Sequence, residues 1–165
     1  MKNGIITPVY KNKNSPKLPD NYRRITVTSL AGKILEKVIV KPTKEVLLPN
    51  ISKLQRGFCN NASSINTAFL LSEAVSEAQD KKMLLYAAML DASKAFDVVW
   101  HPGMLLSLAN QGITGDLWLL YKDMYTGMTS QVKWGNTYSD TFEEGQGVRQ
   151  GGTPSTELFK SKGNK

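Results

Sequence analysis

The sequence predicts an α+β fold, and three observations carry that prediction. Apolar residues recur at helical spacing over 30–39, 65–78 and 117–124. Short β-branched or alternating runs stand at 5–10, 24–29 and 130–142. The two kinds of segment lack the regular strand-helix alternation of a doubly wound sheet. With 165 residues and 41% hydrophobic content, the chain can bury a real core, which argues against wholesale disorder.

Taken in order, "IITPVY" (5–10) predicts a short strand and "KNKNSPKLPDNY" a polar loop broken by proline. "RITVTS" (24–29) predicts a second strand. Leu30, Ile34, Leu35, Val38 and Ile39 then mark a helix face, and Pro42 is expected to end or kink that helix. Ser63-Ser64 predicts the cap of a helix striped by Ile65, Ala68, Phe69, Ser72, Val75 and Ala78, closing near "QDKK". "MLLYAAML" (83–90) reads as a buried strand with Asp91 at its end. "HPGMLLSLANQG" predicts a short helix stopped by Gly112, because a glycine tolerates the left-handed turn that closes a helix. Thr114 is placed to cap a helix with Leu117, Leu120, Tyr121 and Met124 on one face, and "SQVKW" and "YSDTF", joined by "GNT", predict a hairpin. The chain contains no internal repeat.

Charge is unevenly spread. Residues 1–60 hold twelve Lys/Arg against three Asp/Glu, a balance of +9, whereas the rest hold nine against eleven. Such an excess suits a polyphosphate partner bound with counterion release, or else a solvated lysine-rich face. Cys59 is the one cysteine and cannot form a disulfide within the chain. A reducing, intracellular setting, nucleus or cytoplasm, is therefore expected. The opening "MKNGIITPVYKNKN" has too short an apolar run for a secretory signal, and no segment is long and apolar enough to span a membrane.

Asp91 carries the chemistry. A carboxylate at the end of an apolar strand has a firm backbone and a solvent-facing tip, conditions that suit a hard-cation ligand. A two-metal site, with ions about 3.5–4 Å apart, needs at least one further carboxylate from elsewhere. A helix cap or turn former is the alternative reading of a lone aspartate there. Other motifs fail. "EGQGVRQGG" has the first two glycines of a dinucleotide fingerprint, Gly145 and Gly147, but Gln150 occupies the last and no βαβ setting surrounds it. No G-x-x-x-x-G-K-[ST] occurs, and the single histidine, His101, assembles neither a zinc cluster nor a Ser-His-Asp triad.

Four stretches together, "DNYRRITVTSLAGKILEKVI" (20–39), "LQRGF" (54–58), "LDASKAFDVVWH" (90–101) and "GVRQGG…S…LF" (147–159), resemble the reverse transcriptase domain of non-LTR (LINE-like) retrotransposons. They occur in the family's order and cover most of the chain. The resemblance implies the fingers and incomplete palm of a right-hand polymerase, with residues 1–84 fingers-like. Residues 85–165 would form an incomplete palm from motif A to motif B, with an intervening helical and hairpin segment.

It also implies an RNA template, a DNA primer, deoxynucleoside triphosphates, and Mg²⁺ or Mn²⁺ in the intact family. Asp91 would be the catalytic, metal-binding aspartate, with the carbonyl of Ala92 available to the same ions. Phe96 would be the bulky gate against a ribose 2′-OH; read without the family it is an ordinary core aromatic. Asp97 is assigned a structural capping role. Arg23 would meet the incoming triphosphate, since a guanidinium forks onto phosphate oxygens. Gln150 and Gly151 would lie beside the nascent base pair. Lys11, Lys13 and Arg149 are candidate nucleic-acid contacts, with solvated loop lysines the alternative for the first two. Two positions depart from the family: Arg24 replaces a usual Pro, and Thr153-Pro154 an apolar step before Ser155.

The family's aromatic-x-Asp-Asp hairpin is expected after motif B, yet no Asp-Asp pair occurs in these residues, which end "KSKGNK". The sequence thus reads as a fragment, a truncated retroelement copy or an incomplete gene model, inactive alone or dependent on a complementing palm/thumb chain. A non-catalytic nucleic-acid-binding module and a non-functional relic are the alternative readings. An apolar strand left without its partner hairpin would also be an aggregation hazard.

Overall fold

A computed structural model of the chain describes residues 2–12, 15–52, 55, 57–59 and 63–160. It is mixed helix and sheet, as the α+β reading expects, and divides into two units, one of residues 1–50 with 94–165 and one of residues 51–93. Among the described residues, no helix is long and apolar enough to cross a membrane.

The first unit is built on a small sheet. β1 (Asn3–Tyr10) pairs antiparallel with β2 (Tyr22–Val27) from Ile5↔Val27 to Tyr10↔Tyr22. On its other side β1 runs parallel to β3 (Thr129–Trp134), Asn3↔Thr129 to Ile6↔Val132. Pro8 has no N–H to give a ladder, and it sits beyond the last β1–β3 pair, where none is required. β3 turns at Gly135, φ +58°, into β4 (Thr137–Tyr138), the hairpin that "GNT" predicts. β5 (Phe142–Glu143) returns to β3 one residue out of register with β4, so one extra residue is absorbed between them as a bulge.

Helix α1 (Leu30–Leu47) begins where the Ser29 hydroxyl accepts the Gly32 N–H at 3.2 Å. It corrects two expectations. Of the two outcomes expected at Pro42, an end is not what occurs, since the helix runs on to Leu47; the proline is exposed, so the Val38 carbonyl it leaves unbonded is on the solvent side. The buried face runs through Gly32, Glu36, Ile39, Thr43 and Leu47, while Leu30, Ile34 and Val38 are exposed, Leu30 by 78%. Polar anchors chose that face. Glu36 accepts the Thr153 N–H at 2.9 Å. Thr43 gives its hydroxyl proton to the Ile39 carbonyl and accepts the phenol of Tyr121, both at 2.7 Å.

α3 (His101–Asn110) closes as Gly112 predicts: with φ +98°, Gly112 bonds back to Ala109 and Ile113 to Leu108, and Ile113 is buried in the core. α4 (Gly115–Tyr125) follows Thr114, which occupies the cap position without a side-chain cap bond. Its Tyr121 and Tyr125 are buried, beside partly buried Leu117, Leu120 and Met124. Val99, Met104, Leu108, Tyr121, Met128, Val148 and Leu158 form one cluster with the inner face of α1. α5 (Ser155–Lys160) forms despite Thr153-Pro154, held by Leu158 in the core and by a buried Lys160–Glu157 pair at 2.7 Å.

Burial pushes the Tyr121 phenol up to about 12, and Tyr125 is raised for the same reason. An unfolded tyrosine ionises near its ordinary value of about 10. Stability from keeping these phenols neutral is therefore complete below pH 10 and lost as pH climbs through 12. We expect about 2–3 kcal/mol to disappear between urea melts at pH 9 and pH 12 on account of Tyr121. Tyr121→Phe should flatten that loss at a cost of about 1 kcal/mol at neutral pH. Equal pH slopes for the two proteins would refute the assignment.

The second unit contains α2 (Ser64–Asp80), capped by the Ser63 hydroxyl on the Ile65 N–H at 3.2 Å, as "SS" predicts. Its apolar stripe is exposed; none of its residues is buried. The buried strand expected at 83–90 is not present. Those residues are irregular and open to solvent, Leu90 by 97%. A strand needs neighbours to accept its backbone bonds, and no described strand pairs with this segment. "LQRGF" falls partly outside the described residues, at Leu54 and Arg56.

Candidate functional site

Strand alternation builds the site. In β2, Tyr22, Arg24 and Thr26 face one side of the sheet, and Arg23, Ile25 and Val27 the other. The first face joins Ile6 and Pro8 of β1 and Val132 and Trp134 of β3 as the floor of a groove of about 890 Å³. One wall is the Pro16–Pro19 loop, anchored where the Tyr22 hydroxyl donates to the Pro16 carbonyl at 2.8 Å. The other wall is the 142–150 segment with Asp97.

Main-chain bonds seat that second wall. Val148 N–H bonds the Phe96 carbonyl and Gly147 N–H the Val99 carbonyl, each at 2.8 Å, and Trp100 bridges Gln146. Nε2 of buried His101 donates to the Gly147 carbonyl at 2.8 Å, and its ring meets Tyr125 edge-on. On its far side the segment touches β2: Thr26 N–H bonds the Gln150 carbonyl at 2.8 Å. Thus "AFDVVWH", "GVRQGG" and "RITV", far apart in sequence, meet around one groove.

The residues singled out from sequence are placed as follows. Gln150 lines the groove. Gly151, φ +104°, lies so close to β2 that a Cβ would come 3.1 Å from the Thr26 carbonyl oxygen, and Lys33 Nζ bonds its own carbonyl. Its missing side chain therefore admits a strand. Phe96 stacks on Phe159 with centroids 4.9 Å apart and packs against the core. Arg149 is buried; its guanidinium bonds the carbonyls of Lys2 and Thr129 and faces Glu144 at 3.7 Å. It braces β1, β3 and the 142–150 wall together. Lys11 Nζ donates to the Asp20 carbonyl at 2.8 Å, and Lys13 lies outside the described residues. Arg23 is exposed on the sheet face opposite the groove. Asp91 and Ala92 belong to the second unit and are exposed.

Sequence reasoning gave Arg24 no role beyond its replacing a usual Pro. Its guanidinium lies 3.6 Å from the Asp97 carboxylate, and both line the groove, so Asp97 faces a cation across the site rather than serving only as a local cap. Tyr22 and Trp134 were also missed. The signal was available in the alternation of "YRRITV", which sets Tyr22, Arg24 and Thr26 on a common face. Lys94 bonds Asp20 at 2.9 Å and holds that carboxyl below the usual range.

A sequence profile of the reverse transcriptase (RNA-dependent DNA polymerase) family matches residues 10–162. The chain belongs to that family. This reverse transcriptase-family chain is 28% identical over 160 residues to the RNA-directed DNA polymerase from mobile element jockey of Drosophila melanogaster, covering 96% of the chain and 17% of that protein. The jockey polymerase of Drosophila funebris is 30% identical over 129 residues, 77% of the chain and 14% of its own length. A probable RNA-directed DNA polymerase from transposon BS of Drosophila melanogaster is 26% identical over 152 residues, covering 91% of the chain and 17% of its own length. The chain thus spans about a sixth of the curated relatives it matches.

Reverse transcriptases generally use divalent metal ions. Among the described residues, no group of three His, Cys, Asp or Glu side chains converges as a metal site. A hard cation in a two-metal centre requires several oxygens held together. The two candidates named from sequence, Asp91 and the Ala92 carbonyl, would not complete such a set by themselves.

Proposed function

We propose that the chain is part of an RNA-directed DNA polymerase: the fingers, residues 1–84, and an incomplete palm, residues 85–165. Used alone, it is a nucleic-acid-binding piece that does not join nucleotides. In the intact enzyme Asp91, with the Ala92 carbonyl, serves Mg²⁺ or Mn²⁺. Arg23, Phe96, Gln150 and Gly151 serve the incoming deoxynucleotide, and RNA template and DNA primer run along the basic N-terminal part.

One observation carries the reading. Three of the four stretches that resemble the family are joined through their backbones around one groove, which supports their working as one site. The +9 balance of residues 1–60 supports a polyphosphate partner.

The test is equilibrium binding of a labelled RNA/DNA hybrid to the 165-residue protein across a salt series. Affinity should fall steeply with salt, and Lys11→Gln, at a candidate nucleic-acid contact, should flatten the log–log slope by about one, as expected for one lost phosphate contact. Absence of binding even at low salt would leave only the relic reading.

A further inference from the structure

The floor of the groove carries a cluster of aromatic rings. Tyr22 of β2 touches Tyr10 of β1, centroids 5.4 Å apart, and reaches Trp134 of β3 at 5.3 Å in an edge-on contact. Pro8 lies on the strand between them, and its short ring leaves the two larger rings free to meet. The Tyr22 hydroxyl is fixed on the Pro16 carbonyl, so the ring is oriented before any ligand arrives. Trp134, however, is 58% exposed. A ring retained only for packing is normally covered; this one presents a face at an open groove.

Cations flank it. Arg24 lines the same groove with its side chain half exposed, steadied by Asp97 at 3.6 Å, and Lys17 stands in the Pro16–Pro19 wall. An exposed indole, propped edge-on by Tyr22 and standing beside a guanidinium and an ammonium, matches an unpaired nucleotide, whose base stacks and whose phosphate seeks the cation. The groove is of the size that holds small organic ligands.

We infer that Tyr22 and Trp134 form a stacking platform for an unpaired base of a single-stranded nucleic acid, with Arg24 pairing to the adjoining phosphate. The inference rests on the nucleic-acid reading above and adds a site, a strand state and three residues to it. Charge decides against a proline-rich peptide as occupant. Tyr22, Arg24 and Lys17 belong to residues 1–60, whose balance is +9, and of the three groove carboxylates two, Asp97 and Glu144, already face arginines, leaving Glu143.

The test titrates the 165-residue protein with labelled oligo(dT) and oligo(rA), and with a duplex of the same length. Trp134→Ala should weaken single-strand binding about 5- to 150-fold without changing its salt slope, the range expected for loss of one stacked base. Trp134→Phe should restore most of the affinity, and Arg24→Gln should flatten the salt slope by about one. Tryptophan emission should be quenched by oligonucleotide in the wild type and scarcely in Trp134→Phe, where Trp100 and Trp118 remain. The quenching comparison stands even if Trp134→Ala folds poorly. Unchanged affinity in Trp134→Ala, persistent quenching in Trp134→Phe, or quenching by a proline-rich peptide but not by oligonucleotide would each overturn the platform. If the wild type binds hybrid yet Trp134→Ala matches it on single strands, only the platform fails. If the wild type binds no nucleic acid, the proposed function fails with it.

Discussion

Gly147→Ala is expected to lower stability by about 2–5 kcal/mol, read as a fall in the urea midpoint at constant m-value. Two costs combine. At φ +95° an alanine adopts backbone geometry that L-residues avoid, at about 1–2 kcal/mol. Its Cβ would also come 2.9 Å from the Asp97 carbonyl oxygen, a backbone atom that cannot swing aside, and overpacking of this kind adds about 1–3 kcal/mol. The same contact seats the 142–150 wall on the 96–101 segment, so the groove should loosen and oligonucleotide affinity should fall too. Gly145→Ala is the control: nothing lies within 4 Å of its Cβ and its φ is not positive, so a change within about 0.5 kcal/mol is expected. Equal effects at the two glycines would show that the wall is not seated as described.

The second large effect concerns Asp91. The 165-residue polypeptide is expected to incorporate no nucleotide on poly(rA)/oligo(dT) with Mg²⁺ or Mn²⁺, because it contains no Asp-Asp pair and no group of three carboxylates converges among the described residues. Joined to a palm segment that carries an Asp-Asp hairpin, the same residues should support incorporation. Asp91→Asn should then reduce it by about 10³-fold or more, the consequence of losing several kcal/mol of charge stabilisation. Oligonucleotide binding by the 165-residue Asp91→Asn protein should be unchanged. Template-directed incorporation by the pure wild-type polypeptide would defeat the reading of Asp91 as a ligand orphaned from its partners.

Much of the local structure was legible. Ser63 accepts the N–H bond that starts α2, Gly112 closes α3, and Gly135 turns the hairpin, because caps and turns are settled by a few adjacent residues. The four motif stretches named the family because motif identity travels with sequence. Burial was less legible. Leu30, Ile34 and Val38 have faultless helical spacing and lie exposed, while Glu36 and Thr43 are buried. Periodicity counts apolar residues, and it cannot register a carboxylate wanted by the Thr153 N–H or a hydroxyl wanted by Tyr121.

By itself, then, the sequence determined the α+β class, the cap of α2, the stop of α3, the hairpin turn, the basic N-terminal part and the reverse transcriptase kinship. Only the tertiary structure decided which face of α1 is inside and that "MLLYAAML" is not a strand. It also decided that Arg24, rather than Arg23, shares a groove with Gln150, and that Tyr22 meets Trp134. The physical reason is range. Caps and turns are satisfied within a few residues, whereas a sheet face, a strand's hydrogen-bond partners and a groove wall depend on groups a hundred positions away.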